Sequence, residues 1–446
     1  MHVVILGNGI SGITAARYVR KLSDHKITVI SAESDYFFSR TALMYIYMGH
    51  MRLKDTQPYE NWFWEKNRIE LKKAWIESID FSQKALKTAQ GESIEYDKLV
   101  LAVGSKSNKF GWPGQDLKRV GGLYTLQDLS AMETASQAGI QRAVIVGGGL
   151  IGIEMAEMFH SRHIPVTMLV RESSYWNNVL PAEESAMINR HVAEHHIDLR
   201  LGSELKEIID DGQGRASAVI TKDGERIECQ YVGLTAGVSP NTDFLKDTDL
   251  ELQRGILVDE NLQTNIKDVY AIGDCAQLRS PQPGRRPIEA VWYTGKMMGE
   301  VAAYNICGQT LAYDPGTWFN SAKFLDIEYQ VYGDVRPQLP EGHETLYWEH
   351  EDGKKSIRII YSQATREVLG FNLMGVRYRH EVCEKWIKDK TSVESVLQNL
   401  ALANFDPEFY KTFESAVIAK YNQQSGTQIQ LKHKRGLKKV LQFLGA

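Results

Sequence analysis

Two glycine-rich loops of the same kind, each at the end of an apolar strand, constrain this chain more than anything else in it. The first is Gly7-Asn8-Gly9-Ile10-Ser11-Gly12 after Val3-Val4-Ile5-Leu6. The second is Gly147-Gly148-Gly149-Leu150-Ile151-Gly152 after Ala143-Val144-Ile145-Val146. Short, continuous apolar runs of this sort mark parallel strands covered on both faces. In such a strand–loop–helix unit the first glycine allows the tight turn and the second lets the backbone approach a pyrophosphate. The third lets the helix pack closely on the strand. One loop points to one dinucleotide. Two point to a protein that holds two dinucleotides at once, whose natural work is electron transfer between them.

The residues downstream extend both patterns. In the first copy Ile13 to Leu22 reads as a helix whose N-terminus faces the phosphates with free N–H groups and a favourable dipole. Lys26 to Ser31 reads as the next strand, and Glu33 follows about 20 residues after the last glycine, where an acid accepts hydrogen bonds from a ribose hydroxyl. Gly7, Gly9, Ile10, Ser11, Gly12 and Glu33 are therefore the expected contacts of the first dinucleotide. The second copy runs through strand 142–146, a helix from Ile153 to Arg162 and a strand from Val166 to Val170. Its expected contacts are Gly147, Gly149, Leu150, Ile151 and Gly152. Its acid is not expected where the first copy would put it, because Val170 ends the strand and Arg171-Glu172 follow. An arginine here can pair with a 2′-phosphate, which favours NADPH, whereas Glu172 can instead bind the ribose diol of NADH. The sequence leaves that choice open.

Bulk properties narrow the class. A chain of 446 residues holds two to four domains at roughly 100–200 residues each. A net charge of −4 gives no reason to expect a nucleic-acid partner. The four cysteines, Cys229, Cys275, Cys307 and Cys383, are too scattered for a disulfide framework or a zinc site, so no metal is expected and a reducing, cytoplasmic setting fits. The first strand starts at His2 or Val3, so no targeting segment is expected, and no apolar run approaches the roughly 18 residues of a membrane span.

Three further stretches carry a resemblance. They are Leu99-Val100-Leu101-Ala102-Val103-Gly104-Ser105, Leu234-Thr235-Ala236-Gly237-Val238-Ser239-Pro240-Asn241, and Thr264 to Asp274 ending in Val269-Tyr270-Ala271-Ile272-Gly273-Asp274. With the two loops they make the chain resemble the pyridine nucleotide-disulfide oxidoreductase superfamily over nearly its whole length. The resemblance implies that the first loop binds FAD and the second NAD(P)H. It implies that Ala102 and Gly104 lie on the connection out of the FAD domain and Gly237 on its counterpart, and that Gly273 and Asp274 close on the flavin's ribityl chain. A helix starting just beyond Asp274 is expected to offer N–H groups to the pyrophosphate. Glu154 matches a family glutamate near the nicotinamide and flavin. Trp292, with Gly299 after it, resembles the tryptophan that sits by the nicotinamide in the ferredoxin and rubredoxin reductase branch, and Arg40-Thr41-Ala42-Leu43 resembles that branch's Arg-Pro-x-Leu segment beside FAD. The lysine that follows there is absent: Met44 and Tyr45 stand in its place.

The thiol of the disulfide reductases is absent as well. It would belong in the segment 36–50, which contains no cysteine. Without a thiolate beside the flavin this route offers no charge-transfer thiol and no mixed disulfide. The last third turns to α+β, with strand-like runs at 329–332, 345–348 and 357–361 and helical stretches at 379–388 and 392–400. Leu369 to Gly375 and Ala403 to Tyr410 resemble the dimerisation domain of the NADH oxidase and coenzyme A-disulfide reductase branch, which implies a homodimer. Lys432 to Leu444 is basic and partly amphipathic, suited to a solvated helix or to contact with an anionic membrane surface or an acidic carrier protein.

The expected architecture is thus α/β, with two Rossmann-like domains and a C-terminal α+β interface domain. The FAD domain is expected over 1–115 and 240–312, the NAD(P)H domain over 116–239, the interface domain over 313–426 and the basic tail over 427–446. The expected function is an FAD-dependent NAD(P)H oxidoreductase. Hydride passes from nicotinamide to flavin, and electrons then pass to a carrier protein, a quinone or oxygen. A membrane-peripheral quinone reductase and a non-enzymatic redox-sensing flavoprotein are the alternatives.

Overall fold

The computed structural model describes residues 1–432. They divide into two compact units: Met1–Tyr175 with Val192–Pro315, and Trp176–His191 with the residues from Gly316 onward. Among the described residues no helix is long and apolar enough to cross a membrane.

The first unit is built from an internal duplication. One five-stranded parallel sheet has the order Val269–Ala271, Lys98–Leu101, His2–Leu6, Lys26–Ser31, Ile69–Lys73. A second has Val120–Gly121, Tyr231–Leu234, Ala143–Val146, Val166–Val170, Asp198–Leu201 in the equivalent places. Each glycine loop leaves the central strand of its sheet, where the strand order reverses and open α/β sheets bind their ligands. The central strands are wholly apolar because both faces are covered: Val3, Val4 and Ile5, like Val144 and Ile145, expose nothing. A three-stranded antiparallel meander follows the third strand of each copy, at Ile76–Asp80, Ala85–Thr88 and Ser93–Glu95, and at Leu205–Asp210, Ala216–Thr221 and Arg226–Glu228.

Glycines decide how the helices of the first copy meet. Helix Ile10–Leu22 lies against helix Trp292–Ile306. A Cβ on Gly299 would sit 2.4 Å from the Ser11 carbonyl oxygen, and one on Gly295 would sit 2.7 Å from the Ser11 hydroxyl. At Gly299 the obstacle is backbone, so only glycine permits that approach.

One expectation is corrected here. No helix starts just beyond Asp274. Gly273, at φ +72°, turns the chain through a short 3₁₀ turn, and Ala276–Leu278 then forms a strand parallel to Ile256–Val258. Ala276, Gln277 and Leu278 are consumed by that pairing, and the next helix begins only at Trp292.

The second unit carries a five-stranded antiparallel sheet in the order Phe319–Phe324, Ile327–Gly333, Val368–Met374, Ser356–Ser362, His343–Glu349. Helices His380–Lys388, Val393–Gln398 and Glu414–Ser425 accompany it, so the α+β reading holds. Inside this unit Arg358 is buried on the sheet. Its Nε and Nη2 donate to the fully buried Glu184 carboxylate at 2.7 and 2.8 Å, and Nη2 also donates to Glu183. Past Lys432 the basic stretch lies outside the described residues.

Candidate active site

The two glycine loops have the same geometry. Gly7 and Gly147 take φ of +119° and +126°, and a Cβ on either would lie 2.0 Å from the Ala102 carbonyl oxygen or 2.6 Å from that of Thr235. A Cβ on Gly12 would strike the Gly7 carbonyl at 2.0 Å, and one on Gly152 would strike that of Gly147 at 2.5 Å. In contrast, a Cβ on Gly9 or Gly149 would meet nothing within 4 Å. The first and third glycines are thus required by the protein itself. The second faces open space at the N-terminus of a helix, the place an anionic group takes.

A cavity of about 940 Å³ opens beside the first loop. It gathers Gly7, Gly9, Ile10, Ser11, Glu33, Arg40, Ala102, Gly104 and Asp274. From the second copy Ile151 and Glu154 reach the same wall, and Ala290, Val291 and Trp292 complete it. Gly12 and Gly273 stand behind this lining, and Gly147, Gly149, Leu150, Gly152, Gly237, Arg171 and Glu172 lie away from it. Phe37, Phe38, Thr41, Leu43 and Met44 fill the segment where a redox thiol would belong. None of the four cysteines lines the cavity. Cys229 and Cys275 are buried, which pushes each thiol up to about 12, so neither supplies a thiolate at neutral pH.

Five residues of the cavity wall, Glu33, Arg40, Tyr124, Ser105 and Asp274, form one connected network. Arg40 grips both oxygens of Glu33, at 2.9 and 2.6 Å, and donates to the Tyr124 carbonyl. The same Glu33 carboxylate accepts from the Leu126 N–H at 2.9 Å, at the start of helix Leu126–Gln137. The Arg40 guanidinium lies 4.7 Å from the centre of the Tyr124 ring. The Tyr124 hydroxyl accepts from the Ser105 N–H at 2.9 Å and donates to Asp274 at 3.0 Å. Burial pushes the Asp274 carboxyl above the usual range, and the Tyr124 hydroxyl and the Arg40 charge oppose that shift.

Tyr124 escaped the sequence reading, since no spacing rule ties a lone aromatic residue to an arginine and an aspartate far away in the chain. Tyr124→Phe removes the partner of both Ser105 N–H and Asp274, a loss of roughly 1–3 kcal/mol at a partly buried site. We expect FAD to bind roughly tenfold or more weakly, read by flavin fluorescence titration; unchanged affinity would count against the network.

The position of the second acid also needs correction. Strand register makes Leu169 the equivalent of Ile30: Leu6 pairs with Ile30 and Val146 with Leu169, and the Gly7 and Gly147 N–H groups donate to those two carbonyls at 2.8 and 2.9 Å. Counting on from there, Glu172 stands where Glu33 stands, and Arg171 falls at Ala32. The acid looked displaced because the second copy reaches this strand one residue sooner after its last glycine. Arg171 is exposed and pairs with Glu172 at 2.8 Å.

The family model of the pyridine nucleotide-disulphide oxidoreductases matches residues 1–299. The chain belongs to that family. Within this oxidoreductase family it is 31% identical over 405 residues to the NADH-rubredoxin oxidoreductase of Clostridium acetobutylicum, covering 89% of this chain and 99% of the relative. It is 26% identical over 406 residues to the nitrite reductase [NAD(P)H] of Bacillus subtilis, covering 90% of this chain but spanning only 49% of that protein. The solved structure of a NAD-dependent persulfide reductase from A. fulgidus shares the fold, with a TM-score of 0.83 and 21% identity over 96% of this chain and 84% of that one. This oxidoreductase is FAD-dependent and uses NAD(P)H. The open space at Gly9, the acid at Asp274 and the volume of the cavity fit FAD.

Proposed function

We propose that residues 1–115 with 240–312 seat FAD, that 116–239 seat the pyridine nucleotide, and that the enzyme reduces a small electron-carrier protein without a redox-active cysteine. One observation carries this reading. The first glycine loop, Glu154 on the helix of the second loop, and Trp292 all border one cavity, and no cysteine borders it. When bound, FAD accepts a hydride from the nicotinamide and releases the electrons onward.

The roles of the chain's own residues follow from their places. The helix N-terminus at Gly9 holds the pyrophosphate, and Glu33, steadied by Arg40, takes the adenosine ribose. Asp274, held by Tyr124, meets the ribityl chain. Glu154 orients the nicotinamide carboxamide. Trp292, about one-third exposed at the cavity wall, shapes the stacking site and keeps water from the flavin ring. A carrier acceptor is supported by the clostridial relative, whose name specifies rubredoxin and whose length this chain spans almost entirely. Four unpaired cysteines suit a reducing cytoplasm. The exposed Phe405, Phe409 and Tyr410 suit pairing into a homodimer.

Anaerobic stopped-flow mixing with a pyridine nucleotide should bleach the flavin. The reduced enzyme should then pass electrons to a rubredoxin or ferredoxin faster than to a quinone or to oxygen. Failure of either nucleotide to bleach the flavin would sink the donor side; a quinone or oxygen leading the acceptor screen would sink the acceptor side.

A further inference from the structure

We infer that Arg162 is a positioning residue for hydride transfer: by gripping Tyr47 and Glu133 at once, it sets the spacing between the cavity wall at Leu43-Met44 and the helix that carries Glu154. This rests on the reading that flavin and nicotinamide meet in the cavity, and three observations carry it further.

The first is what Arg162 joins. It directly follows helix Leu150–Ser161, whose first turns place Ile151 and Glu154 on the cavity wall. Its Nη1 and Nη2 donate to the two carboxylate oxygens of Glu133, in helix Leu126–Gln137, at 2.9 and 2.5 Å. Its Nε and Nη2 also donate to the Tyr47 carbonyl, Nε at 3.1 Å. That carbonyl lies in the last turn of helix Leu43–Tyr47, where a carbonyl has no partner within the helix and a cation is favoured. The guanidinium carbon also stands 3.5 Å from the centre of the Tyr47 ring. One planar fork thus ties three helices together, a geometry that a lysine ammonium cannot reproduce.

The second is that Tyr47 is locked on its other sides. Its side chain is buried. Ser136 spends its hydroxyl proton on the Met132 carbonyl at 2.8 Å, so the Tyr47 hydroxyl donates to Ser136 at 2.6 Å. The ring meets Phe159 edge-on at 5.8 Å, and Phe159 packs on Tyr231 of the second parallel sheet. The third is that helix Leu126–Gln137 is held at both ends by residues of the first copy. Glu33 accepts from the Leu126 N–H at its start, and Tyr47 donates to Ser136 near its end. The two copies therefore meet through a fixed strut, and a shift at Arg162 reaches both Met44 and Glu154. Misplacing reacting groups by about 1 Å costs up to about a hundredfold in rate.

The test compares the wild-type holoenzyme with Arg162→Met, Arg162→Lys and Tyr47→Phe. Arg162→Met should keep its flavin and lower the limiting rate of flavin reduction at saturating nucleotide by roughly tenfold, while nucleotide affinity changes by less than about threefold. Arg162→Lys, which keeps the charge without the fork, should recover part of that rate. Independently of turnover, hydrogen exchange at the amides of 43–48 should quicken by roughly tenfold in Arg162→Met before any nucleotide is added. Should Arg162→Met fail to accumulate, Tyr47→Phe, which keeps the ring beneath the guanidinium and removes the bond to Ser136, should move rate and exchange in the same directions by roughly threefold. An unchanged limiting rate, a loss traced wholly to missing flavin or weakened nucleotide binding, or unchanged exchange overturns the inference. Bleaching of the wild-type flavin by neither nucleotide overturns the donor reading and takes the hydride-transfer role with it, whereas the exchange comparison fails on its own, so the two failures are distinct.

Discussion

Gly7→Ala is expected to yield a destabilised protein without bound flavin, while Gly9→Ala is expected to yield a stable protein that binds flavin poorly. The two positions lie two residues apart in one loop, yet they answer to different constraints. At Gly7 the backbone has φ +119°, a conformation that favours glycine, and the added methyl would lie 2.0 Å from the Ala102 carbonyl oxygen. That oxygen belongs to the backbone leaving the neighbouring strand and cannot swing aside. Strain and overpacking together cost about 3 kcal/mol or more.

Gly9 has φ −70°, ordinary for any residue, and its Cβ would meet no protein atom within 4 Å. As a helix N-cap, alanine there costs at most about 1 kcal/mol. What it blocks is the approach of a phosphate to the helix N-terminus, and FAD should bind roughly tenfold or more weakly. Flavin absorbance per mole of purified protein, set beside the thermal midpoint, separates the two outcomes. A Gly9→Ala enzyme with full flavin and unaltered FAD affinity would remove the phosphate from this loop.

The second large effect concerns the buried charge pair of the C-terminal unit. Arg358→Met leaves the Glu184 carboxylate, which exposes no surface, with the Asn372 side-chain amide at 3.1 Å as its remaining side-chain donor among the described residues. An uncompensated buried carboxylate of this kind costs about 3–5 kcal/mol. Replacing both partners, as Arg358→Met with Glu184→Gln, removes the charges together and should restore much of that loss. Chemical denaturation of the two variants beside the wild type checks the coupling. Equal midpoints for the single and double variants would mean that the pair does not act as a unit.

Both of these features bear on what the residues disclose by themselves. The two parallel sheets were legible because a short apolar run ending at glycine has few other uses, and each run occurs with the next strand at a fitting distance. The antiparallel sheet was legible at 329–332, 345–348 and 357–361 for the same kind of reason. Arg358 was not. An arginine inside Ile357-Arg358-Ile359 reads as a side chain on the solvated face of a strand, and nothing in the sequence links it to Glu184, which sits in the helix Ala182–Glu194 far upstream.

The candidate site divides in the same way. Gly7, Gly9 and Glu33 were visible through spacing, and Asp274 through the resemblance of the Thr264 to Asp274 stretch. Tyr124 joins Asp274 to Arg40 through a hydroxyl and a ring face, and such a contact has no period. The position of Glu172 depended on where one strand lies against another, and a connection shorter by a single residue is enough to disguise it. The helix expected after Asp274 failed because Ala276, Gln277 and Leu278 serve a strand, and three residues are too few to show a period.

The close approach of the two helices at Ser11 has a consequence for how this enzyme can vary. Trp292 opens the helix that Gly295 and Gly299 press against the first glycine loop. The wall of the cavity and the first glycine loop are therefore indexed to one another through the Ser11 carbonyl packed at Gly299 and the Ser11 hydroxyl packed at Gly295. A larger residue at Gly299 would tilt the tryptophan and the loop together. Substitution at Trp292 can change the chemistry of the cavity wall, but that wall cannot be moved without moving the first glycine loop with it.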